Sequence, residues 1–300
     1  MKHRPKHIFE YALLVGAGGL IRILPFRIAL CLGWLVAAGM HHIGGGFRKK
    51  EARRRLKEVY GDRFSDKERK HIAWISWRNL CFNAIEAIRF SKLTVADVKK
   101  QPLANEAPRL LQALEDEEHG YIFATIHMGN WDMAGVTADL LGLPIFSIAR
   151  RQKNPLTDDY LNKARNAFNM EIILNDSKIL KGIIRRIRAG KVLAILPDVR
   201  NKTEAFPIRF LNGEANLGAG VALFARQCKC PIYPAVVRRV GWTKHEAVIF
   251  DPIRPDESVD KTEDWKRIMQ QMMDLFDAEI AKSPEQYFWY NKRWVLDPIE

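Results

Sequence analysis

The sequence predicts an α/β fold in which a mixed, mostly parallel sheet is flanked by helices and carried behind an N-terminal helical membrane anchor. Three observations predict it. From residue 121 onward, short apolar runs alternate with amphipathic segments, the rhythm of strands that cross over through helices. Two apolar runs near the N-terminus lead into a dense basic stretch. The chain, with 300 residues of which 47% are hydrophobic, is long enough for one large core and an appended segment. The expected division is an anchoring segment over 1–60 and one α/β domain over 61–300, with 61–115 as a helical lead-in.

The apolar runs Tyr11–Ile21 and Ile28–Met40 are separated by Arg22, Pro25 and Arg27. A helix as long as the second run measures ~20 Å, whereas the hydrocarbon core of a bilayer is ~30 Å thick. Neither run spans alone. Lys2, Arg4 and Lys6 precede the runs, and residues 48–57 hold seven basic residues in ten. Basic flanks on both sides place both ends in the cytoplasm. A bent hairpin or in-plane anchor is therefore expected, its basic cluster on anionic headgroups at ~1 kcal/mol per residue. The competing reading is an ordinary helical pair followed by a solvated basic face. No small-residue cleavage site follows the first run, so it does not read as a removed signal.

Composition narrows the partners. A net charge of +13 and a pI near 9.6 call for an anionic partner: a membrane, a phosphorylated substrate, an acidic carrier protein or nucleic acid. No nucleic-acid motif accompanies the charge, and its densest cluster adjoins the apolar anchor, so nucleic acid is not expected. Cys31, Cys81, Cys228 and Cys230 form no CxxC pair and no zinc-ligand spacing. They read as reduced thiols, with no metal or bound redox cofactor implied.

The remaining elements follow in order. Over Asp66–Phe90 a helical stripe of Trp74, Trp77, Cys81, Ile85 and Ile88 recurs at steps of three and four. Pro102, Pro108 and the acidic patch Glu115–Glu118 mark a connecting stretch. Strand-like segments are expected at 121–126, Pro144–Ile148, Glu171–Leu174, Lys191–Leu196, Phe206–Leu211, Ile232–Val240 and His245–Phe250. Helices are expected from Trp131, over Pro155–Phe168, Ser177–Ala189, Leu217–Cys228 and Thr262–Ala281.

The stretch Tyr121-Ile-Phe-Ala-Thr-Ile-His127-Met-Gly-Asn-Trp-Asp132 carries the first chemical signal. Within one continuous helix, His127 and Asp132 would stand ~140° apart. They meet only across a turn at Gly129-Asn130, where a carboxylate fixes the imidazole tautomer and leaves the other nitrogen to take a proton. With 8 histidines and 35 acidic residues, composition alone yields about one such spacing, so the pair needs its context. In an open α/β sheet, sites form beyond the carboxyl ends of strands. His127, Arg150, Asp198 and Arg238 all stand at such ends, which gathers a base, an acid and arginines suited to an anionic substrate.

These pieces, with their order and spacing, resemble the lipid A biosynthesis late acyltransferase family, membrane-bound relatives of the glycerolphosphate acyltransferases that share a His-x4-acid signature. The matching residues are His127 to Asp132, Ala149-Arg150 through Asn154-Pro155 with Arg165, Leu196-Pro197-Asp198, Arg238, and the closing block Ser283-Pro-Glu-Gln-Tyr-Phe-Trp289. Asp132 stands where the family usually has glutamate, Val199 where it commonly has glutamine, and Asn216-Leu217 where it has threonines. The family's histidine-arginine-arginine ending reads Asn291-Lys292-Arg293. The resemblance implies a glycerolphosphate acyltransferase-like fold. It implies transfer of a fatty acyl group from an acyl carrier protein thioester, or acyl-CoA, to a hydroxyl of a lipid A precursor. His127 would be the general base, oriented by Asp132. Arg150, Arg165 and Arg238 would meet phosphates, Asp198 would hold one of these arginines, and the basic helix Ile183–Arg188 would dock the carrier. The implied location is the cytoplasmic face of a Gram-negative inner membrane. Another membrane acceptor, or a basic membrane-surface protein without catalysis, are the competing readings.

Overall fold

The computed structural model describes residues 4–42, 48–149, 153–159, 171–174, 179–203 and 205–297. Its strands are β1 (Ile122–Thr125), β2 (Ile145–Ala149), β3 (Glu171–Leu174), β4 (Val192–Ile195), β5 (Pro207–Phe210), β6 (Gly213–Asn216), β7 (Ile232–Arg239) and β8 (His245–Ile249). Six of them form one sheet in the order β3-β2-β4-β1-β7-β8. All neighbours pair in parallel except β8, which returns antiparallel to β7. The mixed, mostly parallel sheet expected from the alternation is thus present. The segment near 206–211 differs, because β5 leaves the sheet and closes a separate antiparallel hairpin with β6.

The helices are α1 (Pro5–Ile23), α2 (Phe26–His42), α3 (Lys49–Tyr60), α4 (Asp66–Arg89), α5 (Val95–Val98), α6 (Ala107–Asp116), α7 (Trp131–Leu140), α8 (Ile179–Arg188), α9 (Gly220–Cys228) and α10 (Lys261–Lys282). Of the helix expected over 155–168, residues 155–159 are helical and the rest lies outside the described residues. Strand β1 is covered on both faces, which is why it reads as an unbroken apolar run. Ile122, Ala124 and Ile126 join the main core with Met272 and Phe276 of α10. Tyr121 and Phe123 point the other way, onto Leu110 and Ala113 of α6.

The N-terminal helices lean on α4. Ser65 and Glu68 start α4 with a capping box, which satisfies two of its free amides. Helix α2 buries Ala29, Leu30, Gly33 and Ala37, and Ala29 and Leu30 pack with Phe82 and Ile85 of α4. Trp34, Leu35, Val36 and Met40 of α2 are exposed, as are Ile8, Phe9, Leu13, Leu20 and Ile23 of α1. Among the described residues, no helix is long and apolar enough to cross a membrane. Helix α3, expected as part of the anchor, instead turns Ala52, Leu56 and Val59 into the main core. It also buries Arg55, which donates to the carbonyls of Trp289 (2.7 Å) and Asn291 (2.8 Å).

Gly33 sets the α2–α4 spacing: a Cβ there would stand 2.8 Å from Cγ1 of Ile85. Gly33→Leu should therefore push the helices apart at ~1–3 kcal/mol, the usual range for overpacking. A lower urea midpoint and earlier proteolysis ahead of α3 are the measurements that check it.

Candidate active site

Because β1 and β4 are neighbours, with Ala124 paired to Ile195, their carboxyl ends leave the sheet side by side. His127 follows β1 and Asp198 follows β4, so the two meet although 71 residues separate them. Nδ1 of His127 lies 2.8 Å from Oδ1 of Asp198, and the His127 amide donates to Oδ2 at 3.0 Å. Asp198 is fully buried. A carboxylate there is tolerable only with such partners, and Tyr287 supplies a third, its hydroxyl 3.3 Å from Oδ2. Burial and the Asp198 charge raise the Tyr287 phenol well above its usual value, which keeps it a donor.

The orienting contact assigned from sequence to Asp132 is thus made by Asp198. The Gly129-Asn130 turn carries Asp132 onto the exposed first turn of α7, where the helix N-terminus favours its charge. Asp132 still acts on His127 through space. Burial alone pushes the imidazole down, but the Asp198 charge and hydrogen bond, aided by the Asp132 charge, outweigh it and raise the pKa. A carboxylate on Nδ1 requires the proton there and leaves Nε2 as the acceptor. The Trp131 ring stands edge-on to the imidazole, 4.9 Å between centroids.

The closing block serves this turn. Phe288 donates its amide to the His127 carbonyl (2.8 Å), and the Gly129 amide donates to the Gln286 carbonyl (2.9 Å), so residues 286–288 run beside the motif like an added strand. Gly129 has φ +60°, and a Cβ there would lie 2.1 Å from the Val237 carbonyl oxygen, so only glycine fits. Trp289, wholly buried, donates its indole N–H to Pro284 at 2.6 Å.

Beneath the turn lies a buried polar network. Glu86 of α4 accepts from both Nη atoms of Arg239, at 2.9 and 2.5 Å, and faces Nε2 of His245 at 3.0 Å. Asn130 donates to Glu86 at 2.6 Å while its Oδ1 caps α7 at Met133 N (3.0 Å). Asn83 accepts from Arg239 (2.8 Å) and donates to the Gly129 carbonyl (2.6 Å). Burial would raise the Glu86 carboxyl, but the His245 hydrogen bond and the Arg239 charge bring it down to about 2. Burial lowers the His245 imidazole despite Glu86. Helix α4 thereby holds the turn between His127 and Asp132. The sequence showed Glu86, Asn83 and Arg239 only as polar interruptions of apolar segments.

A cavity of ≈ 590 Å³ opens at the carboxyl ends of β2 and β4, lined by His127, Ser147, Ile195, Val199, Phe288 and the cations Lys292 and Arg293 among others. Among the described residues, those two cations, noticed in the sequence only as a departure from a family pattern, share the cavity with His127. Arg238 does reach the sheet edge, but its guanidinium is paired with Glu246 (3.0 Å) and Glu279 (3.5 Å), which cancels the charge meant for a phosphate. Asp198 holds the imidazole, not an expected arginine. Arg150 and Arg165 lie outside the described residues. The end of α8 that carries Arg185, Arg186 and Arg188 precedes β4, so it sits at the opposite edge of the sheet, and Arg186 is paired with Glu171. Cys228 and Cys230, both buried, lie at that same far edge, before β7. Among the described residues, no group of three His, Cys, Asp or Glu side chains is placed to hold a metal.

A carboxylate-oriented imidazole in the crevice beyond the carboxyl ends of a mostly parallel sheet is an arrangement suited to proton transfer at a sheet edge. The chain belongs to the bacterial lipid A biosynthesis acyltransferase family, whose model matches residues 2–295. It is 24% identical over 190 residues to the lipid A biosynthesis lauroyltransferase of Escherichia coli (strain K12), a match spanning 63% of this chain and 60% of that protein. The crystal structure of the 1-acyl-sn-glycerophosphate acyltransferase PlsC from Thermotoga maritima aligns with 85% of this chain and 95% of its own, at a TM-score of 0.41 and 13% identity.

Glu86→Gln should leave Arg239 buried without its counter-charge and cost ~3–5 kcal/mol, the usual penalty for breaking a buried pair. Because the Glu86 pKa is depressed in the fold, its contribution is present above the ordinary carboxylate range and is lost as pH falls toward about 2. Urea unfolding of wild type and Glu86→Gln at neutral pH measures the loss, and the gap between the two should close in strong acid.

Proposed function

We propose that this protein transfers a fatty acyl group from an acyl carrier protein thioester, or from acyl-CoA, to a hydroxyl of a lipid A precursor at the cytoplasmic face of the bacterial inner membrane. The observation that carries this reading is the His127–Asp198 pair, 2.8 Å apart, at the crevice of a chain in this family. Nε2 of His127 takes the proton of the acceptor hydroxyl as the oxygen attacks the thioester carbonyl carbon. The tetrahedral adduct collapses, the C–S bond breaks, and the leaving thiolate takes the proton back from Nε2. An acyl-enzyme is unnecessary because the thioester is already activated, and both buried cysteines lie at the far edge of the sheet.

Asp198 holds the imidazole tautomer, and both Asp198 and Asp132 favour the imidazolium that forms during proton transfer. General-base help of this kind is worth ~10²–10⁴-fold. Lys292 and Arg293, which line the same cavity, suit a phosphate of the acceptor or of the carrier's phosphopantetheine arm. The exposed apolar side chains of α1 and α2 support an in-plane membrane anchor. No bound cofactor enters the reaction.

The experiment is an acyl-transfer assay with carrier-protein and CoA thioesters against a panel of lipid acceptors, the lipid A precursor among them. His127→Ala should keep its fold and lose transfer, and wild-type turnover in that variant sinks the mechanism. A second measurement is the pH profile. Only neutral His127 acts as a base, so the acid limb of kcat/KM should lie above the ordinary imidazole value of 6.5. Asp198→Asn should lower kcat/KM by ~10²–10⁴ and move that limb toward lower pH, whereas Asp132→Asn should move it less.

A further inference from the structure

A second cavity, of ≈ 560 Å³, shares no lining residue with the first. Its walls come from the α1–α2 corner, the last turn of α4, the stretch 92–101, Met133 of α7 and the β7–β8 turn. Phe26, Phe90, Leu93 and Met133 give it apolar sides, while Arg27, Arg89, Lys92 and Lys244 bring positive charge. Among the described residues, none of these four cations is in an ion pair. The two acids in the lining are already engaged: Glu86 with Arg239 and His245, and Asp97 with Thr94 and, at 3.8 Å, Lys100. A surplus of cations beside an apolar wall is the complement of an anionic amphiphile.

The walls are tied in place. Lys92 donates to the Arg22 carbonyl (2.6 Å), Arg89 to the Leu24 carbonyl (2.7 Å), Lys244 to the Lys100 carbonyl (2.5 Å) and Gln101 to the Thr243 carbonyl (2.9 Å). Each ammonium keeps further N–H donors for a ligand. Around the cleft, exposed apolar side chains come from three separate elements: Ile23 and Ile28 at the α1–α2 corner, Val95 at the start of α5, and Val240 and Trp242 in the β7–β8 turn. Trp242 packs beside Phe82, 5.2 Å between ring centroids, on the same helix that carries α2. Tryptophan and cations interleaved around an apolar rim are what a membrane interface selects.

We propose that this cleft seats the phosphate headgroup of an acidic membrane phospholipid, with Lys92 and Lys244 on the phosphate and hydrocarbon against Phe26, Phe90 and Leu93. The β7–β8 turn then becomes a second membrane contact, separate from the faces of α1 and α2. This rests on the membrane-surface part of the functional reading and is independent of the role of His127.

The test is co-sedimentation of the full chain with vesicles of phosphatidylcholine alone or mixed with phosphatidylglycerol. At ~1 kcal/mol per basic residue near an anionic surface, each lysine removed should cost about fivefold in affinity. Lys92→Glu/Lys244→Glu should lose most of the preference for phosphatidylglycerol and keep its binding to phosphatidylcholine. The charge-matched Lys67→Glu/Lys181→Glu, at exposed sites outside both the cleft and the 48–57 cluster, should lose clearly less, and Trp242→Ala should weaken binding to both vesicles without changing the preference. Lys92→Gln and Lys244→Gln, taken singly with melting curves, serve if the reversals fail to fold. An unchanged preference in the cleft variants, or an equal loss in the matched control, overturns the proposal. So does a raised KM for the acceptor in detergent with vesicle binding intact, which would give the cleft to the acceptor. Wild type that binds no vesicles removes this proposal and the membrane anchor together, while the acyl-transfer assay still judges His127.

Discussion

The carboxylate of Asp198 receives the His127 amide, faces the His127 ring nitrogen and is approached by the Tyr287 hydroxyl, and much of the molecule is arranged to make those contacts possible. A fully buried charge needs every partner it can find. Two of these come from the residue that leaves β1, which only the β1–β4 adjacency brings near. The third comes from the closing block, which is held by Ser76 and Arg55 from α4 and α3. Helices α3 and α4 are therefore part of the site's foundation.

A second layer of constraint comes from the other side of the turn. Glu86, Arg239, Asn83 and Asn130 form a closed set of hydrogen bonds whose outermost members hold the Gly129 carbonyl and the start of α7. Alternation along β7 explains why adjacent arginines have different fates. Arg239 points into this buried network, whereas Arg238 takes the other face and is neutralised by Glu246 and Glu279. Two identical residues, one position apart, are separated by the period-two geometry of a strand.

Much of the architecture was legible in the chain. The apolar runs at 122–125, 192–195 and 232–239 read as strands because they are short, rich in branched side chains and bounded by turn residues. The hairpin of β5 and β6 was harder, since a four-residue strand in a polar stretch such as Gly213–Asn216 carries almost no periodic signal. Arg186 looked like a docking charge because its partner Glu171 lies 15 residues away on another element. The basic stretch 48–57 read as a cluster for anionic headgroups, yet Arg55 lies beneath the closing block with its guanidinium 4.8 Å over the Trp294 ring.

The sequence alone determined the class of fold, the apolar and basic N-terminus, the place of His127 at a strand end, and the family pattern, because each of these is written in local periodicity or in a contiguous motif. Tertiary structure decided which carboxylate meets that histidine. Spacing offered Asp132, five residues on. Sheet order brought Asp198 from the neighbouring strand to Nδ1 and left Asp132 on the first turn of α7, and strand order depends on how crossovers pack, a property no single segment carries.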